Sequence, residues 1–113
     1  MELAQRNVGG VTVVDVSGKL TLTEGAGRLK DKVTSLLFEG NKQIVLNLAN
    51  LSYLDSMGLG EIVACHSAAQ RQGGSVKLAA AGKRIQDLLV LTKLLTVFDA
   101  YDTEADAVKS FGG

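Results

Sequence analysis

The sequence predicts an α/β domain built on a mixed, mostly parallel sheet, and three observations predict it. Short β-branched or apolar runs, as at residues 11–16 and 43–48, read as strands. Between them lie longer segments whose apolar residues recur at helical spacing. Glycine-rich or polar punctuation separates the two kinds of segment at short intervals, which is the pattern of strand–helix alternation.

Taken in order, residues 3–8 are mixed in character, but Asn7-Val8-Gly9-Gly10 reads as a hairpin turn. Val11-Thr12-Val13-Val14-Asp15-Val16 reads as a strand that Gly18 ends. Thr23 is placed to cap a helix running to about Glu39, with Leu29, Val33, Leu36 and Leu37 as one apolar stripe and Gly40-Asn41 as its stop. Gln43 to Leu48 suits a central strand covered on both faces. Residues 49–56 are rich in turn formers, and a second helix runs from Ser56 or Met57 to Arg71 on a stripe of Ile62, Cys65 and Ala69. Gln72-Gly73-Gly74 closes it, and residues 75–80 form a short strand. Gly82 opens a third helix with Ile85, Leu88, Leu89, Thr92 and Leu95 inward, and residues 97–101 make a last short strand. Thr103 with Asp106 resembles a capping box opening a final helix that carries Val108 and Phe111. The expected order is ββαβαβαβα: an N-terminal hairpin, then alternating helices and strands, with right-handed crossovers.

The bulk numbers bound the function. The chain has 113 residues, one domain's worth, so residues 1–113 are read as a single unit. Twelve basic residues balance twelve acidic ones, so no net field draws in nucleic acid or an anionic membrane. Cys65 stands alone, which excludes an intramolecular disulfide and a cysteine-based metal cluster. The start shows no basic region followed by an apolar run, and no apolar stretch nears the roughly 20 residues that span a bilayer. The expected compartment is the cytoplasm. No metal or cofactor of the chain's own is expected.

In an open α/β sheet, functional groups collect where strands end and loops enter helices. Residues 18–23, 49–58 and 80–84 meet that condition. Leu54-Asp55-Ser56-Met57-Gly58-Leu59-Gly60 is the most informative run, with Ser56 at a helix cap or the first helical position. Gly58 and Gly60 each cost about 1 kcal/mol in a helix, and they clear bulk around Ser56 for another backbone or a ligand. Asp55 is a first-turn carboxylate that the helix dipole favours, and it could also hold the hydroxyl. Met57 and Leu59 offer apolar contact beside Ser56, and Leu59 reads equally well as core. An enzyme is disfavoured: His66 lies about 15 Å along the helix from Ser56, and there is no Gly-x-Ser-x-Gly elbow. Nucleotide binding lacks both glycine signatures, although Gly82-Lys83-Arg84 at a helix start could hold an anion.

The run at 54–60 resembles the Asp-Ser-x-Gly-Leu signature of bacterial anti-sigma factor antagonists in the STAS family (sulphate transporter and anti-sigma factor antagonist). Val14 to Leu20 resembles that family's second strand with its Gly-x-Leu exit, Ile44 to Leu48 its central strand, and Gly73 to Leu78 its fourth strand and glycine turn. The resemblance implies a non-enzymatic switch. The unphosphorylated form binds an anti-sigma factor that is also a serine kinase and so frees a sigma factor; phosphorylation of Ser56 blocks binding. It implies Thr21, Asp55, Ser56, Met57, Gly58, Leu59 and Gly82 as partner-binding residues. ATP and Mg²⁺ are expected in the kinase, and a phosphatase is a candidate further partner; for the chain itself a monomer is the default expectation. Thr21 stands where the family commonly has Asp after Gly-x-Leu, a departure at the partner surface. Alternatives within the fold are a subunit of another signalling scaffold or transport complex, or a nucleotide-binding STAS domain.

Overall fold

The computed structural model describes residues 1–92 and 98–111. Strand β1 (Glu2–Val8) turns through Gly9 and Gly10, both at positive φ, into β2 (Val11–Leu20). The two pair antiparallel from Glu2↔Ser17 to Val8↔Val11, so the hairpin is longer than the mixed composition of residues 3–8 suggests. Gly18 does not end β2. At φ +89° it sits where the register shifts, and the strand continues to Leu20.

That continuation has its own partner. β3 (Gln43–Asn47) lies parallel to Thr12–Asp15, and β4 (Leu51–Leu54) lies parallel to residues 18–20. β4 occupies part of the segment read as turn. The remaining strands are β5 (Ser75–Ala79) and β6 (Ala100–Tyr101), giving the path β1-β2-β3-β5-β6, with β4 attached to β2. Apart from the hairpin, every pairing among the described residues is parallel.

The helices are α1 (Arg28–Phe38), α2 (Ser56–Arg71), α3 (Lys83–Leu91) and α4 (Glu104–Phe111). α1 starts after Gly27, φ +82°, and not at the expected Thr23 cap. It stops as expected: Gly40, φ +96°, and Asn41 donate their N–H groups to the carbonyls of Leu37 and Leu36. α3 buries Ile85 and Leu89, while Thr92 is exposed and turns its hydroxyl back on the Leu88 carbonyl. Leu95 and Val97 lie outside the described residues. No described helix is long and apolar enough to cross a membrane.

Both sheet faces are covered. Val14, Val16, Ile44, Leu46, Val76 and Leu78 join residues of α1, α2 and α3 in the larger core. Val11, Val13, Val45 and Ala79 join Ala107 of α4 in the smaller one. Each fully buried Val or Leu contributes about 1.5–3 kcal/mol, so this alternation fixes the register of the sheet. α4 is held by Thr103, which accepts from the Asp106 N–H at 3.1 Å, and by Lys77, whose Nζ lies 4.3 Å from the Phe111 ring centre. A polar network adds to this. Arg6 donates two bonds to Asp15, at 2.7 and 2.8 Å, and also pairs with Glu104. Asn47 donates to Glu104 at 3.0 Å.

Glu104 is held below its ordinary value of 4.5, first by Arg6 and then by Asn47. A carboxylate depressed in the folded chain adds stability above its unfolded pKa and loses it as pH falls through the folded value. Acidification from about pH 6 to about pH 3 should therefore weaken the docking of α4. Because the Arg6 side chain is 44% exposed, solvent screens the pair and the effect is modest. Melting temperature against pH should show a smaller acid-side loss in Arg6→Ala than in the parent. Equal slopes would contradict this assignment.

Candidate functional site

The site forms where β2 and β4 end side by side and α2 begins. Asp55, in extended conformation, is the N-cap, and Ser56 is the first helical residue. Helix N-termini leave backbone N–H groups unpaired, and a short carboxylate at the cap satisfies them. Asp55 Oδ1 accepts from the Gly58 N–H at 2.8 Å, and Oδ2 accepts from the Leu22 N–H at 3.1 Å. One carboxylate thus caps α2 and ties down the loop that follows β2. These N–H donors, Gly58 first and then Leu22, hold the Asp55 carboxyl below its ordinary value of 3.8. With both oxygens engaged and the proton weakly held, Asp55 is a structural anchor and a poor base.

Contact explains Gly58. A Cβ there would overlap the carbonyl oxygen of Leu20 and press on the Leu54 side chain. The backbone it admits is that of its own chain, at the end of β2. Gly60 is different: it is exposed, and a Cβ would meet nothing within 4 Å. Leu59, assigned by resemblance to the partner surface, is 4% exposed and packs in the larger core. It shares the buried side of α2 with Ile62, one turn further on. Gly58 is buried as well, so these two leave the accessible set.

Ser56 is exposed, and Met57 is exposed beside it. They open onto a depression of about 340 Å³ that Thr21, Leu22, Lys30 and Glu61 also line. Thr21 Oγ1 accepts from the Glu24 N–H at 3.1 Å and so shapes the loop. Gly82 lies outside this depression. It borders a second and larger groove, between β4 and α3.

Lys30 and Glu61 escape sequence reasoning, and Leu22 is reached there only as part of segment 18–23. Leu22 is exposed and lines the same depression as Ser56. Glu61, on α2, accepts from the Gly27 N–H at 2.6 Å and the Lys30 N–H at 3.0 Å. It caps α1 from another helix, because Gly27 has no side chain with which to do so. Loop 21–27 is therefore tied to the α2 region by two carboxylates, one on each side of Ser56 in sequence. The amides that Glu61 caps lie 34 and 31 residues away along the chain, beyond the reach of any local capping pattern.

Two other reactive side chains are placed away from this chemistry. Cys65 is buried, and desolvation, with some help from the Glu61 charge, pushes its thiol up to about 12. His66 lies about 15 Å along α2 from its mouth and packs edge-on against Phe98, ring centres 5.3 Å apart.

These features define an α/β domain that presents an exposed serine at a helix mouth on a partly apolar surface. The STAS domain model matches residues 3–107. The anti-sigma-B factor antagonist of Bacillus subtilis is 31% identical over 100 residues, covering 88% of this chain and 84% of that one. The crystal structure of an anti-sigma factor antagonist from Mycobacterium paratuberculosis superposes with a TM-score of 0.85 at 24% identity, over 96% of this chain and 92% of the other. The Bacillus cell fate determinant SpoIIAA, solved in phosphorylated and unphosphorylated forms, matches in fold with TM-scores of 0.74 and 0.73 at 19% identity, covering 97% and 99% of this chain and 99% of each of those. The chain belongs to the STAS domain family, among the anti-sigma factor antagonists.

The local geometry makes two stability predictions. Gly58→Ala should destabilise the fold by about 1–3 kcal/mol through overpacking against Leu20, whereas Gly60→Ala should stabilise it by up to about 1 kcal/mol. Urea titration of both variants checks this, and equal midpoints would contradict it. Glu61→Ala should cost about 1 kcal/mol, as loss of a helix cap does, and should speed amide exchange at Gly27 and Lys30. Unchanged exchange at those two amides would show that Glu61 does not hold α1.

Proposed function

We propose that this chain is a phosphorylation-controlled switch: unphosphorylated, it binds an anti-sigma factor that is also a serine kinase and releases a sigma factor, and phosphorylation of Ser56 blocks that binding. The observation that carries the reading is the exposed Ser56 on the first turn of a helix whose cap, Asp55, is already fully engaged. The regulatory role fits the Bacillus subtilis relative, which is named as an antagonist of an anti-sigma factor. SpoIIAA, alike in fold, exists in both phosphorylated and unphosphorylated forms. In this reading ATP and Mg²⁺ come with the kinase, a phosphatase resets the serine, and the chain works as a cytoplasmic monomer.

A phosphoserine adds about −1.5 to −2 charges and strong acceptor oxygens. At the start of α2 the helix dipole tolerates that charge, so the fold survives. The interface does not. Leu22 and Met57 offer apolar contact at the Ser56 depression, and a partner seated on them would have to desolvate a doubly charged phosphate that has Glu61 and a single cation, Lys30, in the same lining. An unpaired buried charge costs several kcal/mol, and each ~1.4 kcal/mol is tenfold in affinity.

Ser56→Ala should fold, resist phosphorylation and keep its partner, while Ser56→Asp should fold and bind at least about tenfold more weakly. Titration calorimetry against the host's own anti-sigma factors, each produced recombinantly, measures both. Equal affinity for the parent and the Asp variant would refute the switch.

A further inference from the structure

Beside β4 lies a second groove, of about 600 Å³, walled by β4 and α3. Tyr53, Leu54, Leu88 and Leu91 supply its apolar lining, and Lys83 and Arg84 stand on its α3 side. We propose that this groove is a second docking site for the protein that reads Ser56, and that it receives a segment of that partner carrying an apolar anchor next to carboxylates. The proposal rests on the partner-binding role proposed above.

Two observations support it. The first is exposure. Tyr53 is 42% exposed and Leu91 79%, and Leu22 and Met57 at the Ser56 depression are exposed as well. Four of the six large hydrophobic residues exposed among the described residues therefore line one of these two hollows. β4 joins them: Tyr53 and Leu54 line the groove, and the chain runs through Asp55 directly to Ser56. Clustered exposed apolar surface of this kind marks an interaction site.

The second is charge. Cations are unfavourable at a helix N-terminus, where the dipole is positive. α3 nevertheless opens on Lys83 and Arg84, with no acidic residue in its first turn and no side-chain cap from Gly82. Asp87 also lines the groove and offsets one of the two cations, which leaves a net positive rim. Local helix stability would choose the opposite charges here. Carboxylates on a bound segment would supply them.

The test is calorimetry of the full chain against the host's recombinant anti-sigma factors, at low and at physiological salt, with thermal melts of every variant. Lys83→Glu/Arg84→Glu should melt at or above the parent, because it corrects the charge at the start of α3. It should bind about tenfold more weakly, with the deficit shrinking as salt rises. Leu91→Ala should also weaken binding. If both variants bind like the parent while Ser56→Asp does not bind, the groove proposal falls and the Ser56 switch stands. If no anti-sigma factor binds the parent, both fall. If the variants keep the anti-sigma factor but lose saturable binding of decanoate, the groove belongs to a small anionic amphiphile and the proposal is overturned.

Discussion

The site depends on one carboxylate. Asp55 receives N–H groups from Gly58, within the helix it caps, and from Leu22, across the loop that follows β2. The first bond starts α2 at Ser56, and the second fixes the loop beside it. Gly58 makes the arrangement possible, because only a residue without a Cβ lets the first turn of α2 rest on the Leu20 carbonyl. Glu61 repeats the device further along α2 by capping α1. The surface around Ser56 is therefore preorganised by acidic groups. Lys30 is the cation that lines the same depression, so an anion added at Ser56 meets two engaged carboxylates and one lysine.

The same helix separates support from recognition. Leu59, Ile62, Cys65 and Ala69 bury one side of α2 in the core shared with α1 and the sheet. Ser56, Met57 and Gly60 leave the other side of its first turns open. Burial also keeps the Cys65 thiol protonated and chemically quiet. On the opposite face of the sheet, α4 and the Arg6 network complete the second layer.

Much of the fold is legible in the sequence because its signals are local. The stripe of Leu29, Val33, Leu36 and Leu37, the Gly40 stop and the apolar run of β3 each follow from periodicity or turn chemistry. The place of Ser56 is legible for the same reason, since a strand, a loop and a glycine-bearing helix start lie in sequence around it. What local patterns do not reveal depends on distant partners. β4 has four residues and exists because β2 continues past Gly18 to pair with it. The start of α1 depends on a carboxylate on α2, so Thr23 is a plausible but unused cap. Leu59 reads as surface or core near a helix end until the packing of α2 against the sheet turns it inward.

In the proposed switch, a phosphate on Ser56 changes what the domain binds and leaves its fold intact. The most direct measurement compares stoichiometrically phosphorylated and unphosphorylated protein in amide hydrogen exchange, with and without the host's anti-sigma factor. Matching exchange is expected for the two forms alone, with partner protection around loop 21–27 and the start of α2 in the unphosphorylated form only. Equal protection of both forms by the partner would contradict the switch.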